Sequence, residues 1–448
     1  MSQQRHQQRQ QVKRRKERRK VLGAESSRLE PGVGITAQWQ QLRAHCRRAT
    51  KKIAPPLLCK NLVSFVQFSY EIPLKHESEI FLSRPIYAHI HTDALSHNLE
   101  RIRQLVPGSK VWSVVKANAY GHGLEPVLKG LALTDGFALL DLAEAKALRE
   151  KGWTGPILLL EGLFAQEDIF TATDLKCDCV VHDFNQIDWL EALSEARSSA
   201  RLPNIYLKMN TGMNRLGFTP EQYREAYHRL HAAGYEITHM THFANADYID
   251  RTPSVDQQAE LFNQSREGLA GGTSLSNSAA ILWHHHVIYS DWVRPGIMLY
   301  GASPSGRYED IQETQLQPAM SLHSEVIATQ NLEAGESIGY GSRYRTDVPI
   351  RIAIIACGYA DGYPRHAPDG TPVWVAGAEG LSSGRVCLMT GQVSMDMITV
   401  DVTDMPHVQV GTKVELWGKH LPVDKVAQAA GTIGYELLCA VASRVRRQ

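Results

Sequence analysis

From Ser83 to about Gln317, short apolar runs take turns with stretches whose apolar residues recur at helical spacing, and no other feature limits the fold as much. Ile86–Ile90 reads as a strand. Thr92–Leu105 follows it, with Leu95, Leu99, Ile102 and Leu105 on one helical face. Val111–Val115, Gly136–Leu140, Ile157–Leu160, Cys177–Val181, Ile205–Met209 and Ile237–Thr241 continue the series, separated by helical stretches such as Tyr223–Ala233. Strands alternating with helices in this way build a parallel sheet, because each helix carries the chain back over one face of it. About eight such units predict an α/β protein with a closed (β/α)8 TIM-type barrel rather than an open sheet. After Pro318 the texture changes. Leu322–Thr329, Ile350–Cys357, Val373–Val375, Ile398–Val402 and Lys413–Leu416 are strand-like and divided by Gly, Pro and Asp turns, with few helical patterns before Val423–Ala430. The expected organisation is a barrel over residues 84–318 and a mostly β C-terminal domain over 319–448.

Ahead of the barrel the composition shifts. Residues 1–84 hold 18 Lys/Arg against 6 Asp/Glu, a local charge of +12, so in a chain of net charge +1 the remainder carries −11. The opening MSQQRHQQRQQVKRRKERRK has almost no apolar residue and cannot bury enough surface to fold alone. Residues 1–83 are therefore read as a solvated, disordered basic extension, in preference to a nucleic-acid arm or an organelle-targeting segment. No apolar h-region follows it, and no run of eighteen apolar residues occurs, so neither secretion nor a membrane span is expected. The seven cysteines are scattered and make no disulfide framework. Cys177 and Cys179 lack a partner pair, and His284, His285 and His286 lack a carboxylate cluster, so no metal is expected. These readings place the protein in the cytoplasm, without nucleic acid or membrane as a partner.

The stretch V-V-K-A-N-A-Y-G-H-G, Val114–Gly123, carries the first chemistry. Lys116 stands at the carboxyl end of an early barrel strand, where barrel enzymes keep their catalytic groups. A desolvated lysine amine is a Schiff-base nucleophile toward an aldehyde, although a lone lysine at a strand end more often snorkels to solvent. The stretch resembles the pyridoxal-phosphate motif of the alanine racemase family. Leu207–Phe218 (LKMNTGMNRLGF), Thr241–Asp247 (THFANAD), Ser276–Ala280 (SNSAA) and Val293–Gly301 (VRPGIMLYG) resemble further signatures of that family, in the same order. So do Gly339–Tyr344 (GYGSRY), Gly358–Tyr363 (GYADGY) and Ser394–Asp396 (SMD) in the β part. The resemblance covers roughly residues 84–448 and leaves out only the basic extension.

The resemblance implies a barrel followed by a β domain, a pyridoxal 5'-phosphate cofactor, and interconversion of L- and D-alanine for cell-wall synthesis or in alanine catabolism. Lys116 would hold the cofactor as a Schiff base and act as the base toward the D enantiomer. Tyr340 would be the base toward the L enantiomer from the opposite face. A phenol ordinarily titrates near about pH 10, so a tyrosine base needs help; the resemblance implies His242 for that task, linked in turn to Arg294. Arg294 would face the pyridine nitrogen. An arginine cannot accept a proton there, so the nitrogen stays unprotonated and side reactions such as transamination are restrained. Arg215 would donate to the cofactor's phenolic oxygen and to the substrate carboxylate, and Lys208 matches a lysine carbamylated in many members. Tyr120, Ser278 and the main-chain N–H groups of Gly296 and Ile297 would hold the phosphate. Met395, Tyr359 and Asp396 would meet the substrate.

The resemblance also implies a homodimer with shared active sites, in which Tyr340, Tyr359 and Met395 serve the neighbouring subunit. Two departures stand out. Many members carry a phosphate-binding tyrosine before R-V-P-R, where this chain reads Ala442-Ser443-Arg444-Val445-Arg446; Ser443 is expected either to give the phosphate one hydrogen bond in its place or to leave the task to the other donors. Ser274 stands where some members have a histidine. Two other readings stand beside it: a racemase of broader range acting on serine or lysine, and a non-enzymatic pyridoxal-phosphate carrier, against which residues 319–448 count because such carriers lack the β domain.

Overall fold

The computed structural model describes residues 84–196 and 203–448, so the basic extension read at 1–83 lies outside the described residues. The first strand, Tyr87–Ile90 (β1), leads into helix Thr92–Leu105 (α1) and then into the barrel. The barrel strands are Lys110–Val114 (β2), Gly136–Leu139 (β3), Ile157–Leu159 (β4), Cys177–Val181 (β5), Ile205–Lys208 (β6), Ile237–Met240 (β7), Gly272–Ser274 (β8) and Trp292–Val293 (β9). They form one parallel sheet of 8 strands in the order β8-β7-β6-β5-β4-β3-β2-β9. A single bridge between Asn277 and Arg294 links the two ends, so the barrel is nearly closed. Every residue of β3, β4 and β6 is buried, as parallel strands covered on both faces must be. The surrounding helices start where the sequence offers caps. Thr219 and Ser254 each form a capping box, with Gln222 and Gln257, ahead of helices Pro220–Ala232 and Val255–Ser265.

The strand expected at Ile86–Ile90 forms, but it does not belong to the barrel. β1 pairs antiparallel with Met320–Leu332 (β10), Tyr87 opposite His323, and parallel with Arg446–Arg447 (β18), Tyr87 opposite Arg446. Alternating burial identifies a strand and says nothing of which sheet receives it. The barrel is completed instead by β8 and β9, of 3 and 2 residues, which are too short to show a period in sequence.

The β domain adds Ile350–Ile355 (β13), Pro372–Gly377 (β14), Gly380–Leu388 (β15), Ile398–Asp401 (β16) and Lys413–Trp417 (β17). Its main path runs β15-β14-β17-β10-β1-β18, with β13 and β16 joined through β10. A register shift between Val326 and Ala328 bends the long β10, so its first half pairs with β1 and β17 and its second half with β13. Two helices, Val423–Ala429 (α9) and Gly434–Ala440 (α10), close the domain.

The seam between β1 and β10 collects imidazoles. His91 is buried, contacts Ser321 Oγ through Nε2 at 2.9 Å, and lies 4.6 Å from the His89 ring. Burial, then the Lys419 and His89 charges, hold His91 down at about 4, and burial also lowers His323. In an unfolded chain a histidine titrates near about 6.5. Between those two values only the unfolded chain takes up the proton. The stabilising effect is therefore complete above about pH 6.5 and is lost as pH falls toward 4. The urea midpoint is expected to be lower at pH 5 than at pH 7. His91→Asn, which cannot titrate, should flatten that difference; an unchanged pH slope in the variant would clear His91 of the effect.

Candidate active site

The carboxyl ends of the barrel strands surround a cavity of about 320 Å³. Lys116 enters it just past β2, Leu140 past β3, Glu161 past β4, Lys208 at the last residue of β6, His242 past β7, Asn277 and Ser278 past β8, and Arg294 past β9. The backbone that presents the lysine is unusual. Ala117, Asn118, Ala119 and Tyr120 follow Lys116 with φ values of 56°, 52°, 54° and 50°, a turn of left-handed helix. L-residues resist that conformation by roughly 1–2 kcal/mol each, because Cβ crowds the next carbonyl. Gly121 continues it at φ +79°, where any side chain would bring Cβ to 2.0 Å from the Leu438 carbonyl oxygen.

One wall of the cavity is a cradle for an anion. The Gly296 N–H donates to Ser278 Oγ at 2.9 Å, and a Cβ on Gly296 would lie 2.5 Å from Tyr120 Oη, so only glycine leaves this cradle open. Ile297 and Tyr435 line the same cavity, and the Tyr435 ring lies 6.1 Å from that of Tyr120. Burial raises the titration of both phenols, so each remains a neutral donor. Main-chain N–H, hydroxyl and phenol donors in one concavity fit a phosphate. Ser443, expected either to replace the family's tyrosine or to leave the phosphate to other donors, is exposed and does not line the cavity. α10 turns its first residues, including Tyr435, toward the barrel mouth, whereas Ser443 follows the end of that helix; the phenol stands at Tyr435 in T-I-G-Y-E.

The opposite wall is cationic. Arg294 is buried, and its Nη1 donates to Ser274 Oγ at 2.6 Å, while Nη2 reaches the Thr241 carbonyl at 2.6 Å and the Leu275 carbonyl at 3.2 Å. All these acceptors are uncharged, and burial lowers the guanidinium to about 10, which still leaves it protonated at neutral pH. Ser274, on β8, donates its own hydrogen to the Trp292 carbonyl at 2.9 Å, which turns its lone pairs toward Arg294. Nη2 also lies 3.4 Å from His242 Nδ1. A guanidinium only donates, so Nδ1 accepts and the neutral imidazole carries its hydrogen on Nε2. Burial, then Arg294, Lys208 and Arg215, hold His242 well below its ordinary titration, so it stays neutral. Asn277 Nδ2 is 3.5 Å from Nε2, while its Oδ1 accepts from Ala280 N at 3.0 Å. Lys208 is buried and lowered to about 8, by burial first and then by Arg294 and Arg215, with Glu161 opposing.

Lys116, Tyr120, Lys208, Arg215, His242, Ser278, Arg294, Gly296 and Ile297 thus share one cavity. Tyr340, Tyr359, Met395 and Asp396 do not line it. Tyr359 and Met395 belong to one outward-facing block. Tyr359 N donates to the Ser394 carbonyl at 3.1 Å and Ala360 N to the Met395 carbonyl at 3.0 Å. Arg444 ties Asp361 to Asp396, at 2.7 Å each, and Arg84 adds a 2.9 Å bond to Asp361. Tyr340 sits at the turn of the small hairpin Ser337–Ile338 (β11) and Tyr344–Arg345 (β12). Tyr340 is 73% exposed, Met395 52% and Met397 44%. Residues that sequence reasoning missed are Tyr435, Glu161 and Asn277, each of which lines the cavity. Among the described residues no His, Cys, Asp and Glu group is arranged to hold a metal, and no helix is long and apolar enough to cross a membrane.

Comparison with known proteins identifies the family. Residues 90–304 match the family model for the alanine racemase N-terminal domain, and residues 319–448 match that for the C-terminal domain. An alanine racemase of Paraburkholderia phytofirmans is 55% identical over 366 residues, which cover 81% of this chain and 99% of the relative. The crystal structure of the biosynthetic alanine racemase from Pseudomonas aeruginosa superposes with a TM-score of 0.75 at 41% identity, covering 82% of this chain and 99% of that one. An alanine racemase from Bartonella henselae, solved with covalently bound pyridoxal phosphate, gives a TM-score of 0.72 at 27% identity over 81% of this chain and 99% of that one.

Proposed function

The chain belongs to the alanine racemase family, and from that premise we propose that it interconverts L- and D-alanine with pyridoxal phosphate held on Lys116 and with Tyr340 of the partner subunit as the second base. The observation that carries this reading is the meeting, in one cavity, of Lys116, a neutral donor cradle and an arginine held by uncharged acceptors. When bound, pyridoxal phosphate supplies a carbonyl that captures the substrate amine and a conjugated ring that takes up charge from its α-carbon. Tyr120, Ser278, Gly296, Ile297 and Tyr435 would hold the phosphate. Arg294 would meet the pyridine nitrogen as a donor and withhold a proton from it. Arg215 would orient the substrate carboxylate, with the Met395 main chain and Tyr359 contributed across the dimer and Asp396 near the entrance.

The protein's own groups then handle one proton on each face of the α-carbon. The Lys116 amine takes it from D-alanine. The Tyr340 oxygen takes it from L-alanine, and His242, with its Nε2 hydrogen fixed by Arg294, donates to that oxygen and stabilises the phenolate. Exposed Tyr340, Tyr359 and Met395, all away from their own subunit's cavity, support a homodimer with shared sites. The cavity must take the cofactor together with the substrate, which favours alanine over a long side chain such as lysine. Among the described residues Cys177, Cys179, Cys357, Cys387 and Cys439 are free thiols, which supports a reducing cytoplasm. The direct test is conversion of L-alanine to D-alanine by the purified protein loaded with pyridoxal phosphate, beside L-serine and L-lysine. Alanine should turn over fastest; failure to racemise alanine would overturn the reading.

Lys208 supports a further expectation. At about 8, a sizeable fraction of its amine is neutral near physiological pH and free to attack carbon dioxide, forming a carbamate and releasing one proton. The new anion would sit among Arg215, Arg294 and Lys116, which favours it and aligns Arg215. Activity should fall when carbon dioxide is stripped from the buffer and return with bicarbonate. Labelled bicarbonate should give a carbamate signal that Lys208→Ala lacks; indifference to carbon dioxide would exclude the modification.

A further inference from the structure

The left-handed turn after Lys116 is a conformation that Ala117, Ala119 and Tyr120 resist, although Asn118 tolerates it. Something outside the turn has to hold it. Locally, Ala119 N donates to the Val115 carbonyl at 2.8 Å, Gly121 N to the Ala117 carbonyl at 3.1 Å, His122 N to the Ala119 carbonyl at 3.0 Å and Gly123 N to the Asn118 carbonyl at 3.0 Å, with His122 Nδ1 2.9 Å from the Tyr120 carbonyl. At the front, Asn118 N donates to Glu144 Oε1 at 3.0 Å. At the back stands Arg447. Its Nε donates to the Gly121 carbonyl at 2.6 Å, its Nη2 to the Val441 carbonyl at 2.9 Å and its Nη1 to the Val445 carbonyl at 3.3 Å. Each of these acceptors is a main-chain carbonyl, so the guanidinium acts as a charged staple between the turn and the C-terminal segment.

The staple has a fixed base. β18, which carries Arg447, pairs with β1, Ala88 opposite Arg447, and Gln448 continues the pairing with bonds of 3.0 Å to the Ala88 carbonyl and 2.8 Å from Ile90 N. Arg447 also packs on the turn beyond Gly121, since a Cβ on Gly123 would fall 3.3 Å from Arg447 Cδ. The Leu438 carbonyl of α10 blocks the turn from relaxing toward it. We propose that Arg447 is a positioning residue: a clamp at the far end of the chain that keeps residues 117–120 left-handed and thereby sets where Lys116 and Tyr120 stand in the cavity. The clamp rests on the functional reading only in assigning those two residues to the cofactor.

The test compares Arg447→Ala and Arg447→Lys with the parent protein, first without cofactor. Amide hydrogen exchange over residues 117–123 should rise by on the order of ten-fold in Arg447→Ala while exchange in the barrel strands stays the same. Arg447→Lys, which keeps one charged donor, should fall between. On loading with pyridoxal phosphate, the alanine variant should release the cofactor about ten-fold more readily, read from its visible absorption after dialysis, a shift equal to about 1.4 kcal/mol. Unchanged exchange in the turn, or exchange raised evenly across the protein, would overturn the clamp. If the parent itself failed to bind pyridoxal phosphate, the functional reading would fall while the exchange result still judged the clamp.

Discussion

Lys116→Ala is expected to abolish racemisation. The lysine does two things at once: it anchors the cofactor covalently, and its amine handles the proton on one face of the α-carbon. Loss of a positioned base alone costs about 10²–10⁴ in rate, and loss of the anchor adds to it, so turnover should fall by at least about 10⁴. The parent protein should keep its cofactor through gel filtration, and borohydride should then fix the cofactor to the peptide that contains Lys116. The variant should show neither. A reduced label recovered on another lysine, Lys208 above all because it shares the cavity, would overturn the assignment.

Tyr340→Phe should separate the two directions. It removes one oxygen from an exposed side chain, so the fold should not suffer. Abstraction from L-alanine should drop by about 10²–10⁴, whereas exchange of the D-alanine α-hydrogen with deuterated solvent should persist, because Lys116 is intact. Equal losses of α-hydrogen exchange from the two enantiomers would contradict the division of labour. The pair of variants also tests subunit sharing. Subunits carrying Lys116→Ala mixed with subunits carrying Tyr340→Phe form hybrid dimers in which one site has lost both groups and the other keeps both. With random assortment the mixture should recover about one quarter of parental activity from two nearly inactive proteins. No recovery would mean that each subunit uses its own tyrosine.

The barrel's presence was legible because its middle strands are apolar and long enough to stand out between helices; Cys177–Val181 and Ile205–Lys208 fall where the runs suggested. β8 and β9 carry too few residues for a period, and their places are fixed by pairing with neighbours far along the chain. The site was legible where a motif is contiguous. Lys116, Tyr120 and Gly296 lie within short signature stretches, and the cavity brings them together. Tyr435 was not, since one tyrosine early in a short helix reads as packing until the chain's return to the barrel mouth is known. Glu161 likewise follows a strand of plain leucines, and nothing local marks it as a neighbour of Lys208.

The placement of β1 bears on how this protein is made. Its partners are β10, from the start of the second domain, and β18, at the last residues described. During synthesis β1 leaves the ribosome ahead of the barrel strands, while the strands it pairs with are still untranslated. The whole barrel must emerge while that strand waits with an open edge, a setting that favours slow, non-local folding and invites contact with chaperones or with other nascent chains.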